Sequence, residues 1–228
     1  MNVSVLIPCF NEKNTIEKIV DRINNLENIN LEIIIIDDNS NDGTKEILKS
    51  KIDKKVSQII FNKKNYGKGY CIKKGIESAT GDIILIQDAD LEYDPKEYYK
   101  LLDPIKNGNA DVVYGSRFIG GDERRILFFW HTIANKLLTL LSNMFTNLNL
   151  TDMETCYKVF KKNLMKRIDL KENGFGFDPE ITAKIAKQKP KIYEVGISYF
   201  GRTYEEGKKI SLKDAFIVLK CIIIYNLF

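Results

Sequence analysis

Four consecutive isoleucines, Ile33, Ile34, Ile35 and Ile36, run directly into Asp37-Asp38-Asn39-Ser40-Asn41-Asp42-Gly43-Thr44. A run that is apolar on both faces fits a central parallel strand covered by helices on either side. The polar cluster then marks the loop at the strand's carboxyl end, the edge where open α/β sheets bind their ligands. Residues 3–7, 57–62, 83–86 and 112–114 read as further strands, with helical patterns between them. Ile16, Ile19, Val20, Ile23 and Leu26 recur at helical intervals, and Asn14 with Glu17 has the spacing of a capping box. Asp94-Pro95 opens a later helix. This alternation predicts an α/β fold, Rossmann-like, around a mostly parallel sheet.

The second half is less regular. A long helical pattern covers residues 125–148, a polar turn covers 151–155, a helix 179–187 and a strand 192–197. A charged, glycine-flanked segment, 201–209, precedes a terminal apolar helix. No linker or repeat divides the chain, so residues 1–228 are expected to form one domain. At 228 residues with 44% hydrophobic content it is long enough to bury a full core. The excess of 35 basic over 31 acidic residues is too mild for a nucleic-acid binder. Four scattered cysteines form no CxxC pair, which argues against zinc or a disulfide framework. The N-terminus enters a strand without a charged leader, and no run of about 20 apolar residues spans a bilayer. The scattered cysteines lead us to expect a reducing, cytoplasmic location, with residues 126–150 and 211–228 as candidates for peripheral contact with a membrane surface.

Asp88-Ala89-Asp90 carries the most chemistry. Two carboxylates one residue apart, after a buried strand, are costly unless something neutralises them, and Mg²⁺ or Mn²⁺ would do so with Glu92 available as a third ligand. Solvated loop acids are the alternative. Asp37 and Asp38 are either turn formers or acceptors for a base or ribose. Asn65-Tyr66-Gly67-Lys68-Gly69 offers backbone N–H groups ahead of a helix, an anion cradle in which Lys68 adds charge. Arg117, after another strand, and Arg202, with Lys208 and Lys209 nearby, could bind phosphate through forked donors. Asp152 and Glu154 are candidates to deprotonate an acceptor hydroxyl, with helix capping by Thr151 or Asp152 as the alternative. His131, the only histidine, lies in an apolar helix and reads more readily as a core residue than as a substrate ligand.

Taken together, Val5-Leu6-Ile7-Pro8-Cys9-Phe10-Asn11-Glu12, Ile36-Asp37-Asp38-Asn39-Ser40, Asn65-Tyr66-Gly67-Lys68-Gly69, Asp88-Ala89-Asp90-Leu91, Gly115-Ser116-Arg117 and the 152–158 stretch resemble glycosyltransferase family 2, especially its dolichyl- and polyprenyl-phosphate sugar synthases. The resemblance covers nearly the whole chain. It implies a GT-A fold, an inverting transfer from a nucleotide-diphosphate sugar of the GDP-mannose or UDP-glucose type, and a divalent metal. By motif, Pro8, Phe10, Glu12, Asp38 and Ala89 would surround the nucleotide, while Asp88, Asp90 and Glu92 would hold Mg²⁺ or Mn²⁺. The synthases often carry glutamine where Glu92 stands. Arg117 and Arg202 would face the acceptor phosphate or the leaving diphosphate. Residues 1–120 then form the donor- and metal-binding half and 121–228 the acceptor-facing half.

The acceptor is expected to be a polyprenyl or dolichyl phosphate; transfer to a saccharide or glycolipid hydroxyl is the runner-up. Many synthases have a transmembrane tail, and none is expected within these 228 residues. A nucleotidyltransferase would need a Gly-rich basic loop after the first strand, where Pro8-Cys9-Phe10-Asn11-Glu12 stands. A non-catalytic nucleotide-sugar binder would not need every candidate metal acid intact.

Overall fold

The computed structural model describes all residues except 121, 122, 127, 208–211 and 228. Seven strands form one sheet in the order β3-β2-β1-β4-β6-β5-β7. They are β1 (Asn2–Cys9), β2 (Asn30–Asp37), β3 (Gln58–Phe61), β4 (Ile83–Ile86), β5 (Val112–Ser116), β6 (Lys158–Lys161) and β7 (Ile192–Gly196). β1 pairs in parallel with β2 and β4, β2 with β3, and β5 with β7. Only β6 runs the other way, antiparallel to both β4 and β5. The sheet is therefore mostly parallel, as expected. The reversed strand is a feature the sequence reading did not contain.

Its direction decides the site. Because β6 is reversed, its amino end lies at the same edge as the carboxyl ends of β1, β2, β4, β5 and β7. Glu12, Asp38, Asp88, Asp90, Arg117 and the 196–202 segment thus leave the sheet at the edge where residues 151–157 enter it. Between β1 and β4 the strand order changes direction, a topological switch point of the kind that opens a ligand crevice.

The helices are α1 (Ile16–Asn24), α2 (Thr44–Ile47), α3 (Lys68–Ser78), α4 (Tyr98–Lys106), α5 (Phe129–Thr146), α6 (Lys162–Met165), α7 (Phe177–Lys187) and α8 (Leu212–Leu227). Ile33 is nearly buried, and Ile34, Ile35 and Ile36 are fully buried. Each such side chain contributes roughly 2 kcal/mol relative to exposure. α3 packs over β1 and β2, while α4 packs near β5, β6 and β7. The capping-box expectation does not hold: α1 begins at Ile16 with Thr15 at its N-cap and no side-chain cap. The Thr15 hydroxyl instead donates to the Glu12 carboxylate at 2.7 Å.

α5 is shorter than the 125–148 pattern and has an unusual polarity. Thr139 and Ser142 are its buried residues, whereas Trp130, Ile133, Leu137, Leu140 and Met144 are exposed on one stripe at three- and four-residue spacing. Leu138 and Leu141 pack on Met153 and on Val218 and Ile222 of α8. Phe216, Ile217, Ile223, Ile224 and Leu227 of α8 are exposed as well. Among the described residues, no helix is long and apolar enough to cross a membrane.

Candidate active site

Asp38 sits at the end of β2 and is buried. Its carboxylate accepts from the backbone N–H of Tyr66 at 2.9 Å and of Gly67 at 2.7 Å, and from the Asn62 amide at 2.8 Å. Two amides of the expected anion cradle are therefore already used to fasten the 65–69 loop to β2. Neighbouring Asp37 is fully buried; one oxygen accepts from Ser40 N–H at 3.2 Å and the other has no hydrogen-bond partner. Gly67 has φ +102°, and a Cβ there or on Gly69 would come within 2.5 Å of the carbonyl oxygen of Asn173 or Glu172. The amino end of α3 is thereby locked under the 172–174 segment. That placement delivers Lys68 to Asp88, Nζ to oxygen 2.7 Å.

Burial opposes the charge on Asp88, yet Lys68 beside it holds the carboxyl below the usual range, and the pair raises Lys68 well above a free lysine. Asp90 behaves oppositely. Burial, then the negative charges of Asp88 and Glu92, push its carboxyl up to about 7 against the pull of Arg202. Ala89 between them is buried.

Arg202 reaches into three acids. Its guanidinium lies 3.0 Å from Asp90, 3.2 and 3.3 Å from the two Glu12 oxygens and 3.5 Å from Glu92. Glu92 acts as a clamp on this segment: it accepts from the Tyr199 hydroxyl at 2.8 Å and from the Arg202 backbone N–H at 2.7 Å, while its carbonyl accepts from Phe200 N–H at 2.9 Å. Among the described residues, no three His, Cys, Asp or Glu side chains are grouped as a metal centre. The three-carboxylate set is thus not assembled. Two carboxylates, Asp88 and Asp90, do fit a hard cation, because Mg²⁺ commonly takes one or two carboxylates and completes its shell with phosphate oxygens and water. Each is ion-paired with a cation, Asp88 with Lys68 and Asp90 with Arg202, as buried carboxylates need. Pro8 and Phe10 are half-buried at the end of β1.

Arg117, just past β5, forms a forked pair with Asp152: Nε to one oxygen 2.6 Å, Nη2 to the other 2.7 Å. The Arg117 backbone N–H adds a contact to Asp152 at 3.1 Å. The carboxylate raises Arg117 further above its ordinary range despite burial. Both Asp152 oxygens are engaged, and neither Thr151 nor Asp152 caps a helix. One Glu154 oxygen is buried without a hydrogen-bond partner. Burial, then nearby Asp178, push the Glu154 carboxyl up to about 8, with Lys158 and Arg117 opposing.

The sequence reading missed Lys158, which is completely buried and ion-paired with Asp178. The signal was available, since a lysine within Cys-Tyr-Lys-Val-Phe is almost never buried without a partner. Tyr199, the anchor of Glu92, carried no such mark. His131 departs from the expected core position: it is half-exposed on α5, with its Nε2 2.8 Å from the Tyr204 hydroxyl, because α5 turns its apolar stripe outward. Lys208 and Lys209 lie outside the described residues.

The α/β sheet with its acids and arginines gathered at one strand edge has the architecture of a GT-A glycosyltransferase. The chain belongs to glycosyl transferase family 2, whose family model matches residues 4–169. It is 29% identical over 211 residues to the dolichol-phosphate mannosyltransferase of Pyrococcus furiosus, covering 91% of this chain and 59% of that one. A low-salt glycan biosynthesis hexosyltransferase of Haloferax volcanii is 28% identical over 206 residues, covering 89% and 49%. The chain thus spans about half to three-fifths of the length of these two curated relatives. Glucosyl-3-phosphoglycerate synthase of Mycobacterium tuberculosis, in complex with Mn²⁺, UDP and glucosyl-3-phosphoglycerate, shares the fold with a TM-score of 0.77 at 17% identity, over 99% of this chain and 80% of that one.

Proposed function

We propose that this glycosyltransferase moves a hexose from a GDP- or UDP-linked donor to a polyprenyl or dolichyl phosphate, with inversion at the sugar carbon and with Mg²⁺ or Mn²⁺ held by Asp88 and Asp90. The observation that carries the choice of acceptor is the state of the two base candidates. Asp152 has both oxygens on Arg117, and Glu154 is pushed up to about 8. A hydroxyl acceptor calls for a positioned base, whereas a phosphate is already anionic at neutral pH and attacks without one. The name of the Pyrococcus relative supports the same reading.

When bound, the cation neutralises charge that grows on the diphosphate as the sugar bond breaks. This chain's own residues do the rest. Lys68 holds Asp88 ionised, Pro8, Phe10, Glu12 and Ala89 border the nucleotide, and Asp38 fixes the 65–69 loop behind it. Arg117, oriented by Asp152, and Arg202 receive the acceptor phosphate or the departing diphosphate. The exposed apolar stripe of α5 with α8 lies on the membrane surface that supplies a lipid acceptor. Continuity supports this: the segment carrying Arg202 rests on the start of α5 through Tyr204, which contacts both His131 and Phe128. No residue of this surface has to cross the bilayer.

A second reading, transfer to a saccharide hydroxyl, is favoured by the buried, unpartnered Glu154 oxygen, which could serve as the base once ionised. The test is to offer GDP- and UDP-hexoses with Mn²⁺ to the protein alongside polyprenyl phosphate or an oligosaccharide, and to weigh the products. The proposal expects a hexosyl-phosphoryl-lipid and free nucleoside diphosphate. Product on the oligosaccharide alone selects the second reading, and pyrophosphate release would indicate a nucleotidyltransferase.

A further inference from the structure

The two active-site arginines are held in unlike ways. Arg117 makes a short, forked pair with one carboxylate, at 2.6 and 2.7 Å. Arg202 is spread over three carboxylates at 3.0 to 3.5 Å, and its Nε–H is buried with no hydrogen-bond acceptor. A guanidinium is strongest where its planar fork meets a matching acceptor, and a buried unsatisfied donor weakens whatever holds it. The charge count also favours exchange, since one guanidinium faces Glu12, Asp90 and Glu92. The segment bearing it is fastened to the body by Glu92 and by a surface ion pair, Arg125 with Glu206 at 2.7 Å, both partners about 45% exposed. Gly207, at φ +96°, lies beyond the ion pair.

We propose that Arg202 is a displaceable counter-ion for the donor site, competing with the divalent cation for Asp90, so that metal and nucleotide diphosphate enter together. The inference rests on the metal reading of Asp88 and Asp90. A dication settling on Asp90 must break the Arg202 contact and would then sit beside a like charge. A diphosphate arriving with the cation supplies the guanidinium with a new acceptor, while Lys68 stays tied to Asp88. Metal alone therefore binds weakly, and nucleotide strengthens it by more than shared chelation would. By linkage, metal strengthens nucleotide by the same factor.

The experiment is Mn²⁺ binding, followed by the paramagnetic resonance signal of free Mn²⁺, with and without GDP or UDP, in the parent and in Arg202→Met and Arg202→Lys. Circular dichroism and thermal unfolding confirm that each variant is folded. Arg202→Met should bind Mn²⁺ alone about tenfold more tightly than the parent, and the strengthening by nucleotide should shrink by a similar factor. Arg202→Lys, which keeps a cation, should resemble the parent. Equal or weaker Mn²⁺ binding in Arg202→Met, with unchanged coupling to nucleotide, would overturn the inference. Failure of the underlying reading is distinguishable: in that case Asp88→Asn and Asp90→Asn would leave Mn²⁺ binding in the presence of nucleotide as strong as in the parent.

Discussion

At the scale of single residues, the site is a set of carboxylates whose roles are divided by their neighbours. Asp88 has a lysine and stays ionised; Asp90 shares an arginine with two other acids and is pushed up to about 7. Glu154, with no hydrogen bond on one oxygen, is pushed up to about 8. That last shift has a consequence for stability. A glutamate titrates near 4.3 in an unfolded chain, so between roughly pH 4.3 and 8 the folded state holds the extra proton. The stabilisation is complete below the lower value and is lost as pH climbs through the upper one. Glu154→Gln cannot ionise, so its unfolding temperature should overtake the parent's as the pH rises from 5 to 9. Parallel curves across that range would show that the Glu154 proton is not retained on folding.

Several of these residues were legible from sequence for a simple reason: Asp38, Asp88, Asp90 and Arg117 each follow directly on an apolar strand, and strand ends converge in a parallel sheet. Their partners were not. Arg202 meets Glu12 across 190 residues and Arg117 meets Asp152 across 35, and no local periodicity records such pairings. Glu92 looked like a ligand because it follows the Asp88 and Asp90 pair at the right interval; its carboxylate was claimed instead by a segment more than 100 residues away.

At the scale of elements, the reversed strand β6 and the outward-facing α5 shape the proposed acceptor side. β6 brings Asp152 and Glu154 to the same edge, and its sequence cue was a lysine set in the apolar run Cys156-Tyr157-Lys158-Val159-Phe160. The tight seat of α3 under residues 172–174 makes a sharp prediction. In Gly69→Ala the new methyl would meet the Glu172 carbonyl and Phe177, so the variant should lose about 1–3 kcal/mol of stability in denaturant unfolding, the usual range for overpacking. An unchanged midpoint would mean that the 172–174 segment is loosely held. α5 makes a second. Trp130 is 76% exposed and Leu137 55%, on the apolar stripe proposed to meet the membrane. Trp130→Glu with Leu137→Glu should abolish co-sedimentation with phospholipid vesicles while the unfolding temperature stays within a few degrees. Parent protein that remains in the supernatant would remove the membrane from the account.

At the scale of the whole molecule, one sheet draws five strands from the first half of the chain and two from the second, and the site is built from both. The acids of the proposed donor side follow β1, β2 and β4; Arg117 follows β5, Asp152 precedes β6 and Arg202 follows β7. This common edge made the α/β, mostly parallel architecture readable from the isoleucine run and its polar loop, whereas the closure of the site by the 199–202 segment depended on tertiary contacts. The proposed sugar transfer depends on a cation held by Asp88 and Asp90. The most direct measurement is the rate of hexosyl-phosphoryl-lipid formation by Asp88→Asn at saturating Mn²⁺, compared with the parent. The amide keeps the shape and removes the charge, so the rate should fall by about a thousandfold, in line with the loss of a principal transition-state electrostatic contact. Turnover of the variant at the parent rate would show that no cation on Asp88 supports the transfer.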